Sequence, residues 1–321
     1  MESRMCAAKA SALVVGSLMT LVAVSSARAE TCGDEVACGC GDTVRGEAVL
    51  AADLSACPDD GLRIVDGAVL DCAGHVISGV GKGEGVLVDD AEGAEVRDCR
   101  ITGFKVGVRI REGGSNVIAG NEITSNRRYG IELAVKTSGN LVEGNLVADS
   151  GDEGIHVGSG SDANQIVGNE IRGSEAENLY VLSSTGGFYS GNVLSGSGAA
   201  ALYVKHSIDS LFEQNEIRDR VVHVRGHSRG NVFFQNRLDH ARYVFEAYAD
   251  DEHPAAVKGW TWPEDNLVRE GQILDVETCF QFKGASANRA VDIVADGCKA
   301  MKESKKGSVK PSGNSVDLLQ Q

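Results

Sequence analysis

Residues 117–123 read VIAGNEI, and the phrase returns as LVEGNLV (141–147), QIVGNEI (165–171), FYSGNVL (188–194), LFEQNEI (211–217) and VFFQNRL (232–238). Its asparagines, Asn121, Asn145, Asn169, Asn192, Asn215 and Asn236, are 24, 24, 23, 23 and 21 residues apart. A second phrase keeps step: GVLV (85–88), GVRI (107–110), GIEL (130–133), GIHV (154–157), NLYV (178–181), ALYV (201–204) and VVHV (221–224). Its apolar residues alternate, so every second side chain points inward on a strand. Two or three such strands per unit, joined by Gly, Asn and Ser turns, wind into a solenoid whose equivalent side chains stack at the strand spacing of about 4.8 Å. The recurring asparagine then forms an internal amide ladder, each side chain bonding the next. Cys99 stands in the same column one coil before Asn121. These features predict an all-β, single-domain parallel β-helix of about ten coils.

Two other solenoids are excluded. A leucine-rich repeat needs an apolar residue five positions before the asparagine, where this chain has Asn116, Asn140, Asn164 or Asn231, and no unit carries an amphipathic helix. A left-handed hexapeptide helix needs a six-residue period, which is absent. The strand G-[IVL]-x-[VIL] followed by N-x-[IV]-x-G-N-x-[IL] resembles the right-handed parallel β-helix repeat family. The stretch CGDTVRGEAVLAADLSACPDDGLRI through LDCAGHVISG (40–79) resembles its usual opening. The resemblance covers roughly residues 40–299 and implies a right-handed coil. For function it implies little, since the superfamily includes pectate and alginate lyases, uronate epimerases, adhesins and a periplasmic copper-protein accessory family. The chain spells out no catalytic motif of any one lyase or epimerase family.

Residues 1–29 have the layout of a secretory signal peptide: Arg4 and Lys9, an apolar run from Ser11 to Val24, and the A-x-A site Ala27-Arg28-Ala29. The expectation is a secreted or periplasmic protein cleaved near Ala29, with no membrane span in the mature chain. Eight cysteines remain beyond it, an even number that reads as disulfides in an oxidising compartment. Cys279 and Cys298 are expected to pair, because the other six precede Arg100; Cys40 with Cys57 is a second, weaker expectation. Residues 30–60 read as a Cys-rich cap, 61–299 as the repeats, and 300–321 as a basic, disordered tail in which NSVDLLQQ offers one last strand. Forty glycines and 5% aromatics argue for many turns and no large aromatic core. A net charge of −15 speaks against nucleic acid as a general partner.

The outward column of the GIHV strand reads Leu87, Arg109, Glu132, His156, Tyr180, Tyr203, His223, and the next reads Asp89, Arg111, Ala134, Gly158, Leu182, Lys205, Arg225. Together they predict one exposed His/Tyr/Lys/Arg patch. The period breaks once: Asn236 is answered by Gly271, 35 residues on, so about 13 residues are inserted near 247–265. That insert carries Trp260 and Trp262, and a long loop on a repeat scaffold marks the functional face. Cations pair with carboxylates and tyrosines pack on sugar faces, which points to an acidic polysaccharide or cell-surface glycan as partner. Arg109, Lys205, Arg225, Trp260 and Trp262 are the substrate-binding candidates, and His156, Tyr180, Tyr203 and His223 the acid–base candidates of a lyase or C5-epimerase. The alternatives are a non-catalytic glycan-binding or structural cell-surface solenoid and a periplasmic metal-delivery accessory protein. No metal site is spelled out. His223 and His227 share a strand face about 13 Å apart, too far for one ion even with His206 nearby. Ca²⁺ is the one cofactor left open, through Asp250, Asp251 and Glu252 or Asp149, Asp152 and Glu153, neither run having full ligand spacing.

Overall fold

The computed structural model describes residues 30–34, 36–134, 136–249 and 259–319. The signal-peptide reading of residues 1–29 and the calcium reading of residues 250–252 lie outside these. The described chain is all β-structure, a right-handed parallel β-helix with three strands per coil. The first face is a sheet of thirteen parallel strands from Thr31–Cys32 to Lys299–Ser304. The second face carries the strand before each ladder asparagine, such as Val117–Ala119 and Leu141–Glu143, and the third the strand after it, such as Glu122–Thr124 and Leu146–Ala148. These two faces merge where Arg289–Ala295 pairs with both Leu267–Arg269 and Gln272–Leu274.

The register follows from the alternation. On the first face Val108, Ile131, Ile155, Leu179, Leu202 and Val222 align coil upon coil and are fully buried. The predicted amide ladder stands at the corner between the second and third faces: each Asn Nδ2 donates to the next Oδ1 at 2.9–3.0 Å from Asn121 to Asn236. Each Oδ1 also accepts the backbone N–H of the asparagine before it, as Asn145 does from Asn121 at 2.9 Å. The backbone N–H of Cys99 donates to Asn121 Oδ1, and Cys99 pairs with Cys72 one coil earlier, so a disulfide ends the column where the amides stop. Cys279–Cys298 and Cys40–Cys57 are bonded as expected, with Cα atoms 5.6 and 5.4 Å apart, and Cys32–Cys38 is the fourth bridge.

Three features differ from the sequence expectation. A second amide ladder, at the corner between the first and second faces, links Asn116 to Asn140 and Asn164, and further on Asn231, Asn266, Asn288 and Asn314. The asparagines that exclude a leucine-rich repeat are thus structural in their own right. Residues 299–319 are no disordered tail: Lys299–Ser304 and Ser315–Leu319 add a last coil, because Asn314 continues the second ladder and the strands cover the edges beneath. The few aromatics are concentrated inside the C-terminal half, where Tyr189, Phe212 and Phe233 stack at 4.5 and 4.8 Å and Tyr243 stacks on Phe280 at 5.3 Å. The insertion falls where the broken period puts it: Val232 pairs in register with Leu267, and Tyr248–Ala249 forms an antiparallel pair with Trp260–Thr261.

Candidate functional site on the first face

Strand pairing sets the outward column of the first face in register as Arg109, Glu132, His156, Tyr180, Tyr203 and His223. Coils stacked at the strand spacing force the rings together. Centroids lie 5.2 Å apart from His156 to Tyr180, 5.0 Å from Tyr180 to Tyr203 and 5.0 Å from Tyr203 to His223. Tyr129, from the preceding turn, stacks on His156 at 4.7 Å and extends the row. The row is not the open wall expected from alternation alone: Tyr129 and Tyr203 are 4% and 9% exposed, and His156, Tyr180 and His223 are half-buried. Turn residues explain this. Tyr129, Glu153 and Glu177 each precede the first residue of a coil's GIHV-type phrase, so they rise in a column of their own beside the rings.

The two ends of the row differ in charge. At the N-terminal end Arg109 lies between Glu84 and Glu132, each at 2.5 Å, so this cation is more than balanced. Arg111 is engaged by Asp89 at 2.6 Å. Glu153 is 8% exposed; its Oε1 is 3.6 Å from His156 Nδ1, and neither that nitrogen nor Glu153 Oε2 has a hydrogen-bond partner. Burial, then the Glu153 charge, raises the carboxyls of Glu177 and Asp152 above their usual range. Burial pushes the Tyr129 hydroxyl up to about 12 and raises that of Tyr180 further.

At the C-terminal end the carboxylate of Glu246 collects three cations and one imidazole. Lys306 Nζ is 2.6 Å from it, His223 Nε2 3.3 Å, Lys283 Nζ 3.4 Å and Arg225 Nη2 3.9 Å. His223 Nε2 stands close to the carboxylate but with poor hydrogen-bond alignment. His223 and these cations hold Glu246 far below the usual carboxylate range, while burial lowers His223 and keeps its imidazole neutral at pH 7. Arg225 Nη1 donates to the Tyr203 hydroxyl at 3.0 Å, and burial outweighs that cation in raising the Tyr203 hydroxyl.

Lys205 and Arg225 pair in register and both lie against the Tyr248 ring, at 4.1 and 4.6 Å from its centroid. The insertion therefore starts on the cationic column. Trp260 and Trp262 are half-buried, and the Trp260 indole lies against Gly307, whose Cα leaves no room for a Cβ. Of the binding candidates, the structure brings Lys205 and Arg225 together beside the rings and sets Arg109 among carboxylates at the other end. It seats Trp260 on the last coil. Sequence reasoning missed Tyr129, Glu177, Glu246, Tyr248, Lys283 and Lys306, and named Glu153 only as a calcium ligand. Tyr129, Glu153 and Glu177 form a column one residue ahead of the aligned phrase, and Glu246 and Lys283 continue the Lys205–Arg225 column in register, both legible signals; Tyr248 and Lys306 come from the insertion and the final coil.

Asp149, Asp152 and Glu153 do not gather as one ion's ligands: Asp152 turns to Arg128 and Glu153 to His156. Among the described residues, the triad whose ligand atoms lie within 4.8 Å of one another is Asp239, His240 and Asp275, at an exposed corner. No described helix is long and apolar enough to cross a membrane.

The family model described as "Periplasmic copper-binding protein (NosD)" matches residues 65–252, more than half of the chain, and the chain belongs to that family. No curated protein sequence matches it. Among solved structures it is similar to the A-module of mannuronan C-5 epimerase AlgE4 from Azotobacter vinelandii, at 12% identity and a TM-score of 0.58, over 87% of this chain and 91% of that one. It is also similar to the Dettilon tailspike protein, at 13% identity and a TM-score of 0.56, over 84% of this chain and 60% of that one. The Agl-KA catalytic domain gives 10% identity and a TM-score of 0.54, over 90% and 60%. At these identities the likeness is one of fold.

Copper(I), one form of the metal implied by the family description, does not fit the described residues. All eight described cysteines are in disulfides, and Met301 is the single described methionine. His206 Nδ1 accepts the backbone N–H of His227 at 3.0 Å, which occupies that nitrogen. The Asp239 triad supplies one imidazole and two carboxylates, without the soft donors that select copper(I).

Proposed function

We propose that this member of the NosD family is an exported protein that binds an acidic polysaccharide along the ring row of the first face. The observation that carries the reading is the unbroken run of Tyr129, His156, Tyr180, Tyr203 and His223, with Lys205 and Arg225 beside its C-terminal half. A saccharide lying along the solenoid axis would stack ring faces on the tyrosines, and its carboxylates would meet the cations. Neighbours of the same fold that are described as an epimerase and a tailspike are consistent with a carbohydrate ligand. The disulfides and the periplasmic family description support an oxidising compartment.

A second reading, proton transfer on that chain, is favoured by one specific contact. Tyr203, protonated and bonded by Arg225, stands 5.0 Å from the neutral ring of His223. A neutral imidazole can accept the proton beside a uronate carboxylate, and a protonated phenol can donate to the leaving oxygen, as β-elimination requires. Arg225 and Lys205 would neutralise the carboxylate. His156 and Tyr180 then serve the flanking sugars. The test is incubation with alginate, pectate, hyaluronan and heparin, following the absorbance of 4,5-unsaturated product and retention on immobilised glycan. Retention with product that disappears in His223→Gln supports the enzyme, and retention alone supports the binder. No retention on any acidic glycan contradicts both.

A further inference from the structure

A cavity of about 480 Å³ opens at the corner between the third and first faces, beside the N-terminal end of the ring row. Its volume lies within the range of about 300–1,000 Å³ usual for small-molecule sites. Lys82, Lys105, Arg127 and Arg128 line it with a single carboxylate, Asp152. Four cations against one anion, on a chain of net charge −15, make a local reversal of sign. The repeat register builds it. The backbone N–H of Lys105 donates to Gly83, that of Arg128 to Lys105 and that of Asp152 to Arg128, so one outward turn position carries basic residues in consecutive coils.

Glycines hollow the pocket. A Cβ at Gly81 would stand 2.7 Å from Arg127 Cδ, so the missing side chain lets Arg127 cross the turn and donate to the Gly81 carbonyl at 2.9 Å. Arg128 packs over the Tyr129 ring at 4.3 Å, and Tyr129 stacks on His156. A ligand in the groove and a group in the pocket are therefore separated by one aromatic side chain.

We infer that this pocket receives an oxyanion ester, sulfate or phosphate, carried by a sugar of the chain that lies on the ring row. The inference rests on the acidic-polysaccharide reading and deepens it, naming the ligand as an esterified acidic glycan. Planar guanidinium groups and lysine ammonium groups converging on one cavity suit an oxyanion with several acceptor oxygens. The room beyond the ion suits the sugar unit that bears it.

The test compares a heparin oligosaccharide with its desulfated counterpart, and a phosphorylated mannan oligosaccharide with its dephosphorylated one, by calorimetric titration. The proteins are wild type, Lys82→Ala/Arg127→Ala, whose side chains are exposed and whose fold is checked by circular dichroism, and Lys205→Ala/Arg225→Ala. The esterified ligand should bind about tenfold tighter than its stripped counterpart. That advantage should vanish in Lys82→Ala/Arg127→Ala and persist in Lys205→Ala/Arg225→Ala. Whichever pair shows the advantage identifies the ester. Equal affinity within both pairs would overturn the inference while leaving the groove reading intact. If neither heparin ligand binds, sucrose octasulfate, which has no uronate, separates the two claims. Its binding to wild type and not to Lys82→Ala/Arg127→Ala would retain the pocket without the groove, and its failure to bind would sink the pocket as well.

Discussion

The two ends of the ring row use the same residue types in opposite electrostatic settings. Around His156, Glu153 and Glu177 press against each other and Asp152, with Arg128 touching only the last of them at 3.6 Å. Around His223, one buried carboxylate, Glu246, is shared among Lys306, Lys283, Arg225 and the imidazole. Glu246 is the more deeply buried, yet its carboxyl goes down while those of Glu177 and Asp152 go up. The rings belong to the strand column; the charges belong to the turns, the next column and the last coil. A repeat scaffold can therefore vary the charge along a groove while keeping its stacking surface constant.

The comparison breaks most readily at Glu246. Removing the buried carboxylate leaves three partly exposed cations without their shared partner, and Glu246→Ala should lose about 1–3 kcal/mol of stability at pH 7 in urea unfolding. The pH dependence has a definite sign. A carboxyl lowered in the folded state stabilises above its ordinary value of 4.5, and the contribution is lost as pH falls through that value toward the folded one. The gap between wild type and variant should accordingly close below about pH 4.5. A loss that stays constant down to pH 3 would mean Glu246 acts by packing.

Glu153→Gln should do the reverse. It keeps the shape and removes the charge that helps raise Glu177 and Asp152, so stability at pH 7 should rise by about 1–2 kcal/mol. Carboxyls raised in the folded state bind protons more readily there than in the unfolded chain, so wild type itself should gain stability from this end as pH falls from 7 toward 5. The advantage of the variant should shrink over the same interval. His223, lowered by burial, works against this gain below its ordinary value of 6.5, since the unfolded chain then binds the extra proton. Thermal unfolding of Glu153→Gln and wild type across pH 4–7 separates these contributions; an unchanged or lower midpoint for the variant at pH 7 contradicts the uncompensated charge. Arg111→Ala, which breaks a pair whose arginine is half exposed, should change stability by no more than about 1 kcal/mol.

The coil, the first amide ladder, the insertion and the register of the outward columns were legible because they follow from a period and from strand alternation. The ladder from Asn121 to Asn236 and the pairing of Lys205 with Arg225 need nothing more than equal repeat lengths. The second ladder was visible in Asn116, Asn140, Asn164 and Asn231 but obscured by Ser210, which takes an asparagine's place as acceptor for Gly187 N–H. The basic tail misled because its lysines read as solvated, whereas S-G-N at 312–314 repeats the turn of 138–140 and carries Asn314 onto the ladder. Burial of the ring row was not legible, since it depends on turn side chains and on Tyr248 from the insertion. Of the charge contrast, Glu246 and Lys283 follow Arg225 in register, but Lys306 reaches Glu246 across 60 residues and two coils of the first face, which no repeat announces.

The most direct test of the central claim is calorimetric titration of an unsulfated uronate oligosaccharide into wild type, Lys205→Ala/Arg225→Ala and Glu153→Gln at low and high salt. The account predicts that wild type binds, that the double variant binds at least about tenfold more weakly, a loss of about 1.4 kcal/mol, and that added salt mimics the loss. Glu153→Gln should bind as well as wild type or better, since it removes negative charge from the groove. Equal affinity of wild type and the double variant, insensitive to salt, would contradict the assignment of the ring row as the site of an acidic chain.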